Sequence, residues 1–447
     1  MINTSLKNVI VLIYPYFKTE DNINQKLFNP LGIALLSALL KLKGIHVIKI
    51  DCTFKSFNQI IDEIVEIKPK IIGFYTMITF TKNIFKLVDH LKLKLPKSLY
   101  ICGGPLATLF PEIFKDQFDV IFKGEMDDSF QEFVNNYFHY EFDKDKFFNE
   151  HDFTDYPGIY INRNGYFFEN HAIHLNEKEF KELSLPDRSG FNHRKYQNFW
   201  KEKEGIKASN IITTVGCPFH CDFCSKPIFG DILRKREIND IICEIEMIKS
   251  LGYNYLWISD DCFTLNTNFL EEFCDKLQAS NLDMKWCCLS RADMIDLELL
   301  RKMKRSGCEK VYLGLESGNN EILRLMKKRL TVEKVKLSVE LIKKAEIKTA
   351  GFFMIGYPGE TWDTIEQTFK FALELELDEV SFNVPYPLPG SELYRRVAEI
   401  DISKDWNIEN ETKFVFKSKF DENLLQKKIR AFYKKFDDKK IQTTLNF

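Results

Sequence analysis

The 447-residue sequence contains no apolar stretch that approaches the roughly eighteen uninterrupted residues a membrane-spanning helix needs. It also lacks an excess of one charge, because 63 Lys and Arg residues stand against 65 Asp and Glu residues. The net charge of -2 gives no general attraction to nucleic acid or to an anionic membrane. The first residues show no charged leader and no small-residue cleavage site, so we expect a cytoplasmic protein that binds no nucleic acid.

The eleven cysteines are an odd number, and in a chain without an export signal they favour reduced thiols and metal ligation over a disulfide framework. A hydrophobic fraction of 45% is ample for burial, and 447 residues exceed what one hydrophobic core usually organises. We therefore expect two α/β domains, a linker between them and a small appendage. The expected boundaries are 1–140 for the first domain, 141–205 for the linker, 206–395 for the second domain and 396–447 for the appendage.

Residues 8 to about 135 alternate short β-rich runs with helical patterns. The runs are NVIVLIYP, HVIKIDC, KIIGFYT, SLYICGG and DVIFKGE. This alternation predicts βαβ units and a doubly wound parallel sheet, in which ligands bind outside the carboxyl ends of the strands. Those ends are Pro15 to Tyr16, Asp51 to Thr53, Tyr75 to Thr79, Gly103 to Pro105 and Gly124 to Glu125.

The next segment breaks the alternation and predicts a linker with a hairpin, GIYINRNGYFFEN, whose Asn164-Gly165 suits a tight turn. From Asn210 the alternation resumes with SNIITTVG, YLWISDD, KWCCLSR, KVYLGLES, KTAGFFMIG and EVSFNVPYPLPG. Six strands with intervening helices predict a partial (β/α)6 barrel, whose site lies at the carboxyl ends of its strands. The final residues predict a basic amphipathic helix that packs over the barrel mouth.

The segment GCPFHCDFCS spaces Cys217, Cys221 and Cys224 as C-x3-C-x2-C directly after the first barrel strand. Three thiolates on one loop can ligate three irons of a [4Fe-4S] cluster and leave the fourth iron open to a small ligand. A structural zinc site is the alternative, but it needs four ligands, and His220 would complete it only by crowding the same turn. Five other cysteines lie in apolar patterns that predict burial in the core: Cys52, Cys102, Cys243, Cys274 and Cys308.

This motif and the strand-end segments YLWISDDCFT, CCLSRADMIDLELLRKMKRSGCEKVYLGLESGNNEIL, GFFMIGYPGET and NVPYPLPGSELY resemble the radical S-adenosylmethionine (SAM) superfamily over about residues 205–395. In that family SAM binds the open iron and is cleaved to a 5′-deoxyadenosyl radical. In the first domain, NPLGIALLSALLKLKG, IGFYTMITF, GGP and KGE look like segments of cobalamin-binding domains. The whole chain therefore resembles the cobalamin-dependent class, which includes many methyltransferases.

The resemblance implies roles in SAM binding for residues at the strand ends. Ser259, Asp260 and Asp261 would bind the amino group of SAM, and an acidic cluster is physically suited to an ammonium. Ser290 and Arg291 end the next strand, where the guanidinium would pair with the methionine carboxylate in a bidentate fork. Capping of strand ends and structural ion pairs are the alternative readings of these residues.

Glu316 ends the following strand, where the resemblance implies hydrogen bonds from the ribose hydroxyls. Phe223, inside the cysteine loop, matches an aromatic position near adenine. Arg234 and Arg236 follow the loop and suit a phosphate, propionate or substrate contact, with solvated basic residues as the alternative.

The resemblance also implies cobalamin contacts at the strand ends of the first domain. Glycines there would let the backbone approach a ligand closely. The Asp-x-His-x-x-Gly loop, whose His ligates cobalt in other cobalamin proteins, is absent, so the lower face of cobalt would receive no histidine from it. A domain that keeps the fold without the corrin, or that binds substrate, is the alternative. The implied contacts are Tyr75, Thr76, Thr79, Gly103, Gly104, Pro105, Gly124 and Glu125.

The resulting hypothesis is an enzyme that cleaves SAM, abstracts hydrogen from an unactivated carbon and transfers a methyl group from cobalamin to the resulting radical. The alternatives are a cobalamin-dependent ring closure, rearrangement or oxidation, and a cobalamin- or cluster-binding sensor. A methylthiotransferase is disfavoured, because three further cluster cysteines and a carboxy-terminal RNA-binding domain are missing. We expect a small-molecule or peptide substrate and an electron donor such as flavodoxin or ferredoxin.

Overall fold

The structure is a computed structural model that describes residues 9–18, 26–125, 128–163, 166–225, 228–400 and 413–445. Within these ranges no helix is long and apolar enough to cross a lipid bilayer. Two sheets built mainly of parallel strands, each covered by helices, account for most of the described residues.

The first sheet has the strand order β2-β1-β3-β4-β5-β6-β7, with β1 to β5 parallel and β6 and β7 antiparallel. This confirms the predicted doubly wound domain. The order reverses between β1 and β3, and in such sheets a ligand binds at the carboxyl ends beside that reversal. Its strands are β1 Val9–Tyr14, β2 His46–Asp51, β3 Ile71–Tyr75, β4 Leu99–Gly103, β5 Val120–Phe122, β6 Ile159–Arg163 and β7 Tyr166–Glu169. Its helices are α1 Leu31–Leu42, α2 Phe57–Ile67, α3 Thr81–Lys94, α4 Pro105–Leu109, α5 Asp128–His139 and α6 Lys144–Glu150.

The hairpin β6–β7 differs from the expected linker, because it extends the first sheet. β6 pairs antiparallel with β5, and Ile159 and Ile161 are fully buried in the core beneath. An isolated hairpin is only marginally stable in water, so a strand with one apolar face is stabilised by joining an existing sheet. Asn164 and Gly165, where we predicted the tight turn, lie outside the described residues.

The second sheet contains six parallel strands in chain order, β8-β11-β12-β13-β14-β15, which confirms the partial barrel. A separate antiparallel ribbon is formed by β9 and β10. The strands are β8 Ala208–Ile211, β9 Thr214–Val215, β10 Arg234–Lys235, β11 Tyr255–Ile258, β12 Lys285–Ser290, β13 Cys308–Glu316, β14 Lys348–Met354 and β15 Glu379–Asn383. The helices are α7 Glu177–Lys181, α8 His193–Glu204, α9 Ile238–Ser250, α10 Thr267–Ala279, α11 Leu297–Arg305, α12 Asn320–Leu325, α13 Val332–Lys344, α14 Trp362–Glu374, α15 Glu392–Arg396 and α16 Glu422–Leu445.

Two neighbouring residues after α7, Asp187 and Arg188, join the two sheets. The Asp187 carboxylate pairs with Lys41 of α1 at 2.8 Å and also with Lys49 of β2. The Arg188 guanidinium pairs with Glu244 of α9 at 2.5 Å, and both of these side chains are almost completely buried. Because Asp187 and Arg188 are adjacent, the first domain and the barrel are both anchored at the same point of the chain.

Helix α16 covers the edge of the barrel rather than its mouth, which corrects the expected position. Its Phe432 ring lies 4.7 Å from the Phe382 ring of β15. The Tyr433 hydroxyl donates a hydrogen bond to the Val380 carbonyl at 3.4 Å, and Leu425 is buried in the barrel core. An edge strand presents unpaired backbone groups, and covering it with a helix removes that exposed surface.

Candidate active site

The three motif cysteines lie on one closed loop beside the carboxyl end of β8. The ribbon β9–β10 closes this loop, because its two strands pair antiparallel at the loop's two ends. Gly216 has a φ of +84°, and a Cβ there would lie 2.2 Å from the Ile232 carbonyl oxygen, so the closure needs glycine. Cys217, Cys221 and Cys224 are each half-buried, and none of the cysteines in the described chain forms a disulfide.

The donor set fits an iron-sulfur cluster rather than a single ion. Within the described residues, no three His, Cys, Asp or Glu side chains converge closely enough to hold one metal ion. A cubane cluster separates its irons, so three thiolates on one loop can each bind a different iron. The Arg291 Nη1 atom lies 3.9 Å from Cys221 Sγ, and the guanidinium lies 3.7 Å from the centroid of the Phe219 ring. A positive charge therefore faces the thiol loop.

Asp222 stands inside the cysteine motif and anchors the loop to the barrel. Its buried carboxylate accepts a hydrogen bond from the Tyr357 hydroxyl, and Arg396 lies 3.0 Å from the same oxygen. Its N–H donates to the Met326 carbonyl at 3.2 Å. Sequence reasoning missed this role because the partners come from three distant segments. The signal available was an acidic residue between cluster ligands.

Arg234 and Glu125 bind each other, a pairing between two predicted contact residues that the sequence did not indicate. Both terminal nitrogens of Arg234 donate to the Glu125 carboxylate at 2.6 Å, and they also donate to two backbone carbonyls. Only 3% of the Arg234 side chain and 12% of the Glu125 side chain are exposed, so each charge is compensated within the protein. Arg236 is held less completely: its Nη1 atom donates to the buried Glu244 carboxylate at 2.6 Å and to the Ile212 carbonyl at 2.8 Å, whereas its buried Nη2 atom has no hydrogen-bond partner among the described residues.

The acidic segment after β11 divides into a structural carboxylate and an accessible one. Asp260 is buried and accepts hydrogen bonds from the Thr213 N–H at 2.7 Å and the Thr214 hydroxyl at 2.8 Å. Burial raises the pKa of Asp260 to about 6. Asp261 keeps solvent access. Desolvation by the surrounding protein raises the pKa of Asp261, and a hydrogen bond from the Gly216 N–H opposes this shift. Asp261 is therefore the carboxylate that can receive an ammonium beside the cysteine loop.

The two serines of the predicted SAM site differ in how they are engaged within the protein. The Ser290 hydroxyl is buried, lies 2.7 Å from the Thr264 hydroxyl and donates to the Arg291 carbonyl at 3.0 Å. Ser259 is half-buried, and its N–H donates to the Ile211 carbonyl at 2.8 Å. Ser259 thus keeps an accessible side chain, whereas Ser290 holds the end of β12.

The bidentate face of Arg291 is occupied by Asp293. The Nε and Nη2 atoms of Arg291 each donate to this carboxylate at 2.9 Å, and Nη2 also donates to the Lys328 carbonyl at 2.8 Å. The expected fork to a methionine carboxylate therefore has a protein partner already. The remaining nitrogen, Nη1, faces Cys221, so Arg291 contributes its charge to the cluster loop.

Glu316 ends β13 with a φ of +61°, a left-handed conformation that is strained for a residue with a side chain. Its carboxylate accepts a hydrogen bond from Lys328 at 2.8 Å. The Lys328 Nζ atom lies 5.9 Å from the centroid of the Phe223 ring. Burial lowers the pKa of Lys328, but the charge of Glu316 and its hydrogen bond, with the nearby Cys221, together have the larger effect, so the pKa is raised. Sequence reasoning missed Lys328, because one lysine in a lysine-rich stretch carries no pattern of its own.

Two of the predicted cobalamin residues, Thr76 and Gly104, hold the loops of the first sheet together. The buried Thr76 hydroxyl donates to the Gly103 carbonyl at 3.0 Å and accepts from the Ala107 N–H at 2.9 Å. Gly104 has a φ of +113°, and a Cβ there would lie 2.9 Å from the Thr76 carbonyl oxygen. A side chain at Gly104 would therefore distort this loop whether or not a corrin is present.

The rest of this edge offers an apolar surface at the reversal between β1 and β3. The Tyr75 ring lies 5.8 Å from Tyr14 and 6.3 Å from Phe80, and burial raises the pKa of Tyr75 to about 12. An aromatic floor fits the broad, largely apolar face of a corrin. The predicted residues that keep solvent access here are Tyr75, Thr79, Gly103, Gly104 and Pro105.

Gly124 and His174 occupy the β5 end of the same edge. The Gly124 N–H donates to the Thr108 hydroxyl at 2.9 Å, and a Cβ at Gly124 would lie 2.6 Å from the Ile173 carbonyl oxygen. Gly124 is therefore required by packing within the protein. The His174 Nδ1 atom lies 3.4 Å from the Glu125 carboxylate, so a histidine from another segment stands beside the ligand edge.

Comparison with protein families finds two matching domains. The B12 binding domain matches residues 25–134, and the radical SAM superfamily domain matches residues 211–372. The chain is 27% identical over 386 residues to an uncharacterized methyltransferase of Pyrococcus horikoshii, which covers 82% of this chain and 77% of that protein. It is 24% identical over 404 residues to the anaerobic magnesium-protoporphyrin IX monomethyl ester cyclase of Cereibacter sphaeroides, which covers 87% of this chain and 64% of that protein.

Solved structures share the fold. The radical SAM methyltransferase TsrM from Kitasatospora setae, with cobalamin and a [4Fe-4S] cluster bound, matches with a TM-score of 0.74 at 18% identity over 88% of this chain and 78% of that one. The cobalamin-dependent SAM radical enzyme OxsB, with aqua-cobalamin and SAM bound, matches with a TM-score of 0.68 at 19% identity over 82% of this chain and 52% of that one.

The fold and the two matched domains define the class as an α/β enzyme that joins a corrin-binding sheet to a cluster-bearing barrel. The chain is a radical SAM enzyme with an amino-terminal B12-binding domain. Its cofactors are accordingly SAM, a [4Fe-4S] cluster and cobalamin.

The first prediction concerns the cluster ligands. Anaerobically reconstituted protein should hold about four irons and absorb in the visible range, and the triple variant Cys217→Ala, Cys221→Ala, Cys224→Ala should lose both signals. Cys243→Ala is the matched control: the prediction that this thiol is buried was wrong, since it is exposed on α9, and its loss should leave the iron content unchanged. Iron analysis and absorbance measure the outcome, and a full cluster in the triple variant would contradict the assignment.

The second prediction separates the two carboxylates after β11. Asp261→Asn should weaken SAM binding by about 1–3 kcal/mol, because a charge-assisted hydrogen bond is lost, and should leave the free energy of unfolding nearly unchanged. Asp260→Asn should instead lower the free energy of unfolding by about 1–3 kcal/mol, because an NH2 donor replaces one of the two carboxylate oxygens that accept buried hydrogen bonds. Calorimetry with SAM and chemical denaturation distinguish the two variants, and the reverse pattern would exchange their roles.

Proposed function

We propose that this enzyme methylates an unactivated carbon of its substrate and uses SAM both as the radical source and as the methyl donor. The observation that carries the proposal is the buried Arg234–Glu125 pair, which joins the ligand edge of the first sheet to the ribbon that closes the cysteine loop. This contact supports a shared reaction space, because the two cofactor-binding edges are tied to each other.

When bound, the cluster supplies the electron that cleaves SAM, and cobalamin supplies the methyl group. The chain's own residues orient the reactants and exclude water. In this proposal Asp261 receives the SAM ammonium, the Glu316–Lys328 pair offers an acceptor and a donor to the ribose, and Phe223 packs near adenine. Arg291 keeps its charge beside Cys221, since Asp293 holds its guanidinium in place.

A second candidate is a ring closure or oxidation without methyl transfer. It is favoured by the relative from Cereibacter sphaeroides, whose name describes a cyclase. Both candidates need a substrate and a reductant, and we propose flavodoxin or ferredoxin as the electron donor. The cytoplasmic location stays a prediction.

The third prediction distinguishes these reactions by the fate of SAM. With a strong chemical reductant, the cobalamin-loaded enzyme should form both 5′-deoxyadenosine and S-adenosylhomocysteine. Protein without cobalamin should form only 5′-deoxyadenosine, and the triple cysteine variant only S-adenosylhomocysteine. Mass spectrometry of the two products measures this. Cobalamin-loaded enzyme that yields 5′-deoxyadenosine and no S-adenosylhomocysteine would favour the second candidate.

The fourth prediction concerns the ligand beneath cobalt. Residues 15–30, which follow β1, contain no histidine, so electron paramagnetic resonance of the Co(II) form should lack nitrogen hyperfine splitting from an axial ligand. His174→Ala is the matched variant, because His174 lies near the β5 end of the edge, and the spectrum should not change. Nitrogen splitting that disappears in His174→Ala would assign this residue as the ligand and contradict the prediction.

A further inference from the structure

The carboxylate of Asp222 lies between two of the motif cysteines and is only partly compensated. Its side chain is completely buried, and its Oδ2 atom accepts the hydrogen bond of Tyr357 and lies 3.0 Å from an Arg396 nitrogen. The other carboxylate oxygen, Oδ1, is also buried and has no hydrogen-bond partner among the described residues. Because protein screens a charge less than water does, a carboxylate with one bare oxygen keeps a strong local field.

Arg396 supplies the opposite charge, and it reaches Asp222 from the surface. It belongs to α15, and 37% of its side chain is exposed. Its Nη2 atom also donates to the Tyr357 hydroxyl at 2.5 Å. The Leu393 N–H of the same helix donates to the Asp222 carbonyl at 2.8 Å. Helix α15 is therefore attached to the cysteine loop through both the backbone and the side chain of one residue.

The hydroxyl of Tyr357 is presented by a closed turn after β14. The Tyr357 N–H donates to the Glu360 carboxylate at 2.9 Å, and the Glu360 N–H donates back to the Tyr357 carbonyl at 2.9 Å. Both side chains are completely buried. Gly359 has a φ of +107°, and a Cβ there would lie 2.7 Å from Leu325 Cδ1, so the turn packs tightly against α12. The donor that Asp222 receives therefore comes from a well-packed part of the barrel.

A charge at this position acts on the cluster that the neighbouring cysteines would hold. Asp222 follows Cys221 directly and precedes Cys224 by two residues. Reduction adds one electron to the cluster, so a nearby negative charge disfavours it and a nearby positive charge favours it. The reduction potential of an iron-sulfur cluster accordingly depends on the charges and hydrogen bonds around it. Because Asp222 and Arg396 carry opposite charges, loss of one should shift the potential in the opposite direction from loss of the other.

We propose that Asp222, Tyr357 and Arg396 form a clasp that positions the cysteine loop and sets the reduction potential of the cluster on it. All three are positioning residues, since they act through the cysteines and not on a reactant. The inference rests on the three motif cysteines as cluster ligands. It goes beyond the proposed function, because methyl transfer and ring closure alike would begin with reduction of the cluster.

The fifth prediction concerns the sign of the shift in reduction potential. Asp222→Asn should favour reduction of the cluster about tenfold, a rise of about 59 mV, because a negative charge is removed. The new NH2 group can stand at the position of Oδ1, so an oxygen still accepts from Tyr357. Arg396→Met should disfavour reduction about tenfold, and the double variant should return close to the unsubstituted enzyme.

The potential is measured on the full-length, cofactor-loaded enzyme before SAM is added. A redox titration is followed by low-temperature electron paramagnetic resonance of the reduced cluster. Tyr357→Phe should disfavour reduction about threefold, because the carboxylate loses a donor that withdraws part of its charge. Arg396→Lys should stay within about threefold of the unsubstituted enzyme, because it keeps the charge.

The matched control is Arg324→Met on the neighbouring helix α12. Its guanidinium is 72% exposed and screened by water, so the potential should not change. Iron content and circular dichroism verify that each variant folds and holds its cluster. Shifts of the same sign in Asp222→Asn and Arg396→Met, unchanged potentials in both, or loss of iron in either would leave the clasp a packing role only and overturn the proposal.

These outcomes are separate from those for the cluster ligands and for methyl transfer. A full cluster in the triple cysteine variant would contradict the ligands themselves, whereas the clasp variants keep all three cysteines. No SAM product is measured in the titration. An enzyme whose potential shifts as expected but which makes no S-adenosylhomocysteine would contradict methyl transfer alone.

Discussion

The arrangement of the two cofactor edges depends on the buried contact between Glu125 and Arg234. A bidentate pair sets both the distance and the relative orientation of the groups that carry it. Glu125 follows β5 of the first sheet, and Arg234 lies in the ribbon that closes the cysteine loop. The contact that joins the domains therefore also shapes the loop that presents the thiols. Loss of either partner would leave a buried charge unpaired, which is strongly destabilising.

Charged residues at strand ends serve the framework more often than the ligands in this enzyme. Asp260 satisfies the backbone and hydroxyls before the cysteine loop, and Asp293 holds the Arg291 guanidinium. Asp260 is thereby buried, and the neighbouring Asp261 is left accessible beside the cysteine loop. Asp293 occupies two nitrogens of Arg291, and the third, Nη1, faces Cys221. A polar side chain at the end of a barrel strand is thus a candidate for binding, and the number of its protein partners decides whether it remains available.

The sequence predicted the parallel strands well, because their composition is a local property; the predicted run YLWISDD contains β11, Tyr255–Ile258. It did not predict that β6 joins β5, or that α16 covers β15, since pairing between distant segments leaves no local pattern. The motif cysteines could be recognised from their spacing alone. Lys328 and Arg396 could not, because two residues among 63 basic ones gain meaning only from the carboxylates that surround them.

The segment before α1 couples the two domains in a further way. Residues 26–30 lead directly into α1, whose Ile33, Ala34 and Leu40 are buried in the core of the first domain. The barrel holds the same short segment, because Trp200 donates to the Leu27 carbonyl and Tyr253 donates to the Asn29 side chain. A displacement of these residues would therefore disturb the packing of α1 and the contacts with the barrel together. The amino-terminal sheet and the barrel would thus favour one common conformation.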